Sequence, residues 1–167
     1  MPKCQFITRY YDHKIRKWVD FKCQEEVEEP LASRFCIFHD NNYCLREKTN
    51  HEKHQRKVLD RMKHKVNYAI SNNEPLLCIG FQLHDFSLSD LSIGKEFTKP
   101  VYFSGSDFFG YADFGAASFQ GEAGFSLANF EWQTLFNDVN FQGGAFFFKA
   151  NFQGGAELLH NPMNKYI

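Results

Sequence analysis

Phenylalanine returns at alternating intervals of five and six residues through the second half of the chain: Phe114, Phe119, Phe125, Phe130, Phe136, Phe141, Phe147 and Phe152. The repeat unit is therefore eleven residues long. Counted on that period, residues 79–166 divide into eight units without insertion, from IGFQLHDFSLS to AELLHNPMNKY. The third position is Phe in six units, Ser92 and Leu158 being the exceptions, and the eighth is Phe in seven, with Met163 in the last. The first and sixth positions turn to alanine: Ala112, Ala117, Ala123, Ala128, Ala145, Ala150 and Ala156. Repetition of this kind dictates architecture before any other property of the chain does.

An eleven-residue unit cannot bury two phenylalanines alone. Stacked on its neighbours it can, each ring lying on the ring of the next unit while the nearby alanine leaves room. A helix would put positions five apart on different faces, and a flat strand needs alternation of period two. The pattern demands a chain that turns a corner every five or six residues. Thirteen Phe occupy the two inward positions, and each contributes roughly 2 to 3 kcal/mol on burial before ordering entropy is subtracted. The ladder is thus read as structure, and no ring pocket for a cofactor is expected in it.

The runs ADFGAASF, AGFSLANF and KANFQGGA resemble pentapeptide-repeat proteins, whose five-residue unit has a central Leu or Phe and an Ala two residues before it, both facing inward. The resemblance implies a mainly β fold, a right-handed quadrilateral β-helix with four short sides per coil. One extra residue in every second pentapeptide sets this chain apart and implies about four coils of 22 residues. With strands about 4.8 Å apart, the solenoid would stand only about 20 Å tall. The organisation expected is a metal module at 1–48, an amphipathic helix and linker at 49–75, and the β-helix at 76–167.

Four of the five cysteines fall in the first 44 residues: Cys4, Cys23, Cys36 and Cys44. The stretch CQFITRYYDHKIRKWVDFKC reads as a hairpin turning near Asp12 to Lys14, which would bring Cys4 opposite Cys23. Cys36 and His39, with two residues between them in FCIFHD, form a knuckle-like pair able to complete a tetrahedral site of three thiolates and one imidazole. Cys44 competes for one place. The Cys-Cys-Cys-His segment ending in CIFHD is also similar to small N-terminal modules of some pentapeptide-repeat proteins, which implies Cys4, Cys23, Cys36 and His39 as ligands of a structural zinc. Cys78 is read as a small buried hydrophobe.

Between the modules, Thr49 and Glu52 have the form of a capping box, and Val58, Leu59, Met62, Val66, Ala69 and Ile70 make one apolar stripe at helical spacing. Asn72, Asn73 and Pro75 end it. Such a helix would cover the open end of the solenoid. Its His54, Arg56, Lys57, Arg61, Lys63, His64 and Lys65 also raise a nucleic-acid contact: residues 1–75 carry net +4, whereas 76–167 carry net −5. A solvated basic face explains the asymmetry without a ligand.

The chain is 167 residues long and 43% hydrophobic, with net charge −1. It has no run of 18 apolar residues and no signal-peptide core in MPKCQFITRYYDHK, so a cytoplasmic protein with no membrane contact is expected. Neither a phosphate-binding Gly loop nor a nucleophile elbow is present, and the paired glycines at 143–144 and 154–155 occupy one repeat position, as corners do. Catalysis and a small-molecule substrate are not expected. If a coil holds two units, the outward aromatics Tyr102, Phe109, Tyr111, Trp132, Phe146 and Phe148 all fall in odd units, on one side. That side either meets a protein partner or a second copy in a homodimer, or is covered by the N-terminal half. The expected function is a non-catalytic scaffold or protein-interaction module. The alternative implied by the resemblance is a DNA mimic acting on a topoisomerase, for which −5 over 92 residues is a weak field.

Overall fold

The computed structural model describes residues 1–27, 34–40, 51–91 and 96–159. Cys44, Thr49, Ser92, Met163 and the side chain of Glu52 lie outside the described residues, so the capping box and the competing fourth thiol do too. The fold is mainly β, a solenoid of about four turns preceded by a hairpin and one long helix.

The hairpin pairs β1 (Ile7–Asp12) with β2 (Lys17–Lys22) in antiparallel register, Ile7 against Lys22 and Asp12 against Lys17. The Asp12 carboxylate accepts the backbone N–H groups of Lys14 at 3.0 Å and Ile15 at 3.1 Å. This local bonding is why Asp starts such turns. Extended backwards through the Lys3–Glu26 bridge, the register sets Cys23 across from Phe6 and Cys4 across from Glu25. The expected direct Cys4–Cys23 opposition is therefore corrected to a diagonal on the same face of the ribbon, the period of two keeping both side chains together.

Helix α1 (His51–Asn72) lays its predicted stripe on the solenoid: Val58, Met62, Val66 and Ala69 are buried in the same core as the Phe ladder. It ends where Asn73 takes a left-handed φ of 54° and the Glu74 N–H bonds the Ala69 carbonyl at 2.9 Å, a C-terminal cap suited to Asn. The helix and the 36–40 segment together close the first coil. No helix among the described residues is long and apolar enough to cross a membrane.

The solenoid has four sides, each a stack of two-residue parallel strands. On the first side Val101 pairs with Ala123 and Ala123 with Ala145; on the second Asp107, Asn129 and Asn151 follow one another. Each step is 22 residues. The rings stack nearly parallel from coil to coil, Phe108 on Phe130 at 4.6 Å, Phe130 on Phe152 at 4.7 Å and Phe114 on Phe136 at 5.0 Å between centroids. Those separations are the strand spacing itself. At the fifth position of the five units from 101 to 155 the chain turns in the left-handed region, at Gly105, Ala116, Leu127, Asp138 and Lys149.

The first coil departs from the uninterrupted 22-residue count. Leu76, rather than Ile79, pairs with Val101, Gln82 with Asp107 and Phe86 with Ala112, while Glu96 pairs with Ser118. Those spans are 25, 25, 26 and 22 residues. The surplus is taken up between Ser87 and Glu96, where the chain forms a helical turn, Leu88–Leu91. Large and small have changed places in this coil: Cys78 stands in the column of Phe103, Phe125 and Phe147, whereas Phe81 and Phe86 stand in columns held by Ser106 and Ala112 above them. All three are fully buried. The two rings fill the space beneath these small side chains; Phe81 meets the cap through Phe38, and Phe86 packs on Phe103, Phe108 and Phe114.

Candidate metal centre

The 36–40 segment folds back on itself, with the Cys36 carbonyl accepting the N–H groups of His39 at 2.9 Å and Asp40 at 3.1 Å. This tight turn aims the Cys36 thiol and the His39 ring to one side. The base of the hairpin supplies Cys4 and Cys23. All four side chains are buried, and their ligand atoms lie within 4.8 Å of one another.

The separations are those of a coordination polyhedron. Cys23 Sγ and Cys36 Sγ are 3.8 Å apart, Cys36 Sγ and His39 Nδ1 3.3 Å, and Cys4 Sγ and His39 Nδ1 3.6 Å. Tetrahedral bonds of about 2.3 Å to sulfur and about 2.0 Å to nitrogen require edges of about 3.8 Å between sulfurs and about 3.5 Å between sulfur and nitrogen. The cysteines are free thiols with no disulfide among them. The four residues therefore lie close enough together to hold a tetrahedral metal ion.

A second layer orients the ligands. His39 presents Nδ1 to the sulfurs, and its Nε2 donates to the Ile79 carbonyl at 2.9 Å, which fixes the tautomer. The Cys36 N–H points at Cys4 Sγ, 3.2 Å away. Phe6 stacks flat on the His39 ring at 3.8 Å and 11°, and Phe81 meets it edge-on at 5.2 Å. Gly80, at φ 68°, is required beside this stack, since a Cβ there would fall 2.4 Å from the Phe6 ring.

Charge follows the same geometry. The hydrogen bond from the Cys36 thiol, helped by His39, pulls the Cys23 thiol down to about 4, and the same bond holds the proton on Cys36. Burial raises Cys4. Three such thiols cannot all ionise side by side without a cation to take the place of their protons. Cys78, in the ladder column, is a separate case: burial, opposed by Lys65 and helped by Glu25, pushes it up to about 12.

The knuckle is also joined to the solenoid. Phe38 stacks on Phe81 at 4.2 Å and 4°, and its carbonyl accepts the Gln82 N–H at 2.9 Å. Sequence reasoning named the four ligands but missed Phe6, Phe38 and Ile79, which hold them; no spacing rule connects residues forty positions apart. Basic residues of α1 turn to the same end, Lys65 to Glu25 at 2.8 Å and Arg61 to Glu25 at 3.8 Å.

The six outward aromatics divide. Tyr102, expected at the surface, is 1% exposed, because the hairpin lies over it: Tyr10 packs on its ring at 5.2 Å and its hydroxyl donates to Glu122 at 2.6 Å. Phe146 is half-buried under His13, stacked at 3.7 Å and 7°. Phe109 is half-buried. Trp132 and Phe148 stay open at 65% and 63%, with Tyr111 at the margin of exposure. The odd units that carry all six do stack on one another, with Tyr102 and Phe146 on the first side, Phe109 next to the second, and Trp132 and Tyr111 at the corner after it.

Comparison with protein-family models, with curated proteins and with solved structures gave no match.

Proposed function

We propose that this protein is a non-catalytic scaffold of the pentapeptide-repeat type, in which a structural zinc fastens the N-terminal hairpin and knuckle to the first coil and the solenoid presents an aromatic corner to a protein partner. The 22-residue coil with its paired Phe and Ala columns supports the family reading. Zinc is the ion favoured by three thiolates and an imidazole, and four protein ligands leave no position for a substrate or an activated water. The zinc supplies charge and geometry to the cap, not chemistry.

The observation that carries the interaction reading is Trp132. It remains open to solvent although the hairpin covers Tyr102 and Phe146, and it shares its corner with Tyr111 one coil away. Large aromatics exposed on a surface of Ser, Asn, Gln and Gly are the usual anchors of a protein interface. Replacing Trp132 and Tyr111 by Ser tests this. The fold should change by no more than about 0.5 kcal/mol, while self-association in sedimentation, or retention of a specific partner in affinity capture, is lost. A collapse of thermal stability, or unchanged association, refutes it.

A further inference from the structure

A cavity of about 460 Å³ lies between the hairpin and the corner that joins the first and second sides of the solenoid. Its volume is in the range of small-molecule sites, about 300 to 1,000 Å³. The hairpin contributes Phe6, Tyr10, Tyr11 and Trp18, and the solenoid contributes Ser104, Leu127 and Phe148. Three large apolar side chains at this cavity are left exposed, Trp18 at 50%, Leu127 at 48% and Phe148 at 63%. Folding alone gives no reason to gather them there.

Two further observations point to an occupant. Ser104 is 5% exposed and its hydroxyl has no hydrogen-bond partner among the described residues. A buried hydroxyl left unpaired costs about 1 to 3 kcal/mol, and a ligand that bonds to it, once the side chain rotates toward the cavity it lines, recovers that cost. Leu127 has φ 61°. Every fifth-position corner needs this conformation, but the others use Gly, Ala, Asp or Lys, and a leucine is held there at a conformational cost with its apolar side chain at the cavity.

The lining also defines the chemistry. Rings dominate it, and those of Tyr11 and Trp18 stand edge to face at 74°, with His13 set likewise against Tyr11. Offset and edge-on walls suit another flat ring. No carboxylate lines the cavity, so a cation has no counter-charge there. The one guanidinium, Arg9, already bears the Asp20 carboxylate on its Nε at 3.0 Å, which offsets its pull on an anion. Phe6, clamped between the His39 ring and Gly80, gives the cavity a rigid inner wall.

We propose that this cavity binds a small, uncharged, planar aromatic molecule carrying one hydrogen-bonding group, with Ser104 as its polar contact and Trp18, Leu127 and Phe148 as its rim. The site is separate from the aromatic corner at Trp132 and does not depend on the identity of the metal.

Calorimetric titration of the full chain, with its metal content measured, decides the matter. Indole and p-cresol should bind at one site with a Kd on the order of 0.1 mM, as expected for ligands of this size. Cyclohexanol, tetramethylammonium and benzoate should bind at least ten-fold more weakly. Leu127→Asn, which suits the left-handed corner, and Phe148→Ser should leave the fold intact and weaken indole about ten-fold. Ser104→Ala should weaken it about five-fold while raising the stability of the ligand-free protein, a combination that a purely structural serine would not give. Cyclohexanol binding as well as indole, preference for either ion, or indifference to Leu127→Asn and Phe148→Ser would each overturn the assignment. Tighter binding of N-acetyltryptophanamide than of indole would overturn it in favour of a docked aromatic side chain.

Discussion

His39 Nε2 lies 2.9 Å from the carbonyl oxygen of Ile79, forty residues further along the chain. That hydrogen bond joins the ligand cluster to the first coil, and with the Phe38–Phe81 stack it makes the metal centre part of the solenoid's cap and not a separate bead. Loss of the ion should therefore be felt in the hairpin, in α1 and in the lowest coil together.

Elemental mass spectrometry of the purified protein should give one zinc per chain. Cys36→Ser and His39→Ala should each abolish it, with loss of a large part of thermal stability, since structural zinc sites contribute about 10 kcal/mol or more to the folding of the segments they tie. Cys78→Ala should leave the metal content unchanged. Zinc retained in both ligand variants would disprove the assignment.

Along the ladder, position decides the cost of truncation. Phe114 is fully buried between coils, touching Phe136, Phe125 and Phe103, and Phe114→Ala should cost about 3 to 5 kcal/mol. Phe152, half-buried in the fourth coil and stacked on Phe130 alone of its column, should cost about half as much. Urea denaturation of the two variants compares them directly, and equal losses would contradict a core graded along the axis.

The hairpin docks through a glycine. A Cβ on Gly124 would stand 2.3 Å from the Tyr102 ring, and that ring is held from above by Tyr10. Gly124→Ala should therefore destabilise by about 1 to 3 kcal/mol, and Tyr102→Ala in the same chain should relieve most of the clash. A double-mutant cycle measures this; additive losses would show that the ring and the glycine do not compete for space.

Acid should loosen the same contact. Burial against Phe146 lowers the pKa of His13 below its usual 6.5, with Glu122 and Asp12 opposing the shift. The docked state then favours neutral imidazole, so the unfolded chain binds more protons between the lowered value and 6.5. Its contribution is complete above about pH 6.5 and is lost as pH falls through the folded value. From pH 7 to pH 5, amide protection factors in β1 and β2, referred to the intrinsic exchange rate at each pH, should fall more in the parent than in His13→Gln, a comparison that cancels ligand protonation at the candidate metal centre. An identical fall would exclude His13 as the cause.

Much of this was legible in the chain because packing repeats. The Phe and Ala columns declared the coil, its 22-residue step and the inward faces, and the helical stripe from Val58 to Ile70 declared the cap. Cys4, Cys23, Cys36 and His39 were named from ligand chemistry. The first coil was misphased for a physical reason: Phe81 and Phe86 look like ladder residues, but they fill space that the small Ser106 and Ala112 above them leave, and Cys78 holds the ladder place. The burial of Tyr102 was equally hidden, because it depends on a hairpin eighty residues away and not on the repeat. The cavity beside Ser104 arises from the same docking and had no local signal.

The 25-residue opening turn sets the solenoid's two ends apart. Above it every pairing recurs at 22, so a stretch such as 112–133 could be cut out or copied with all columns still in phase; the same operation across Ser87 to Glu96 would break them. The capped base is thus a fixed origin, and height is a quantity that recombination can change one storey at a time without redesigning the foundation.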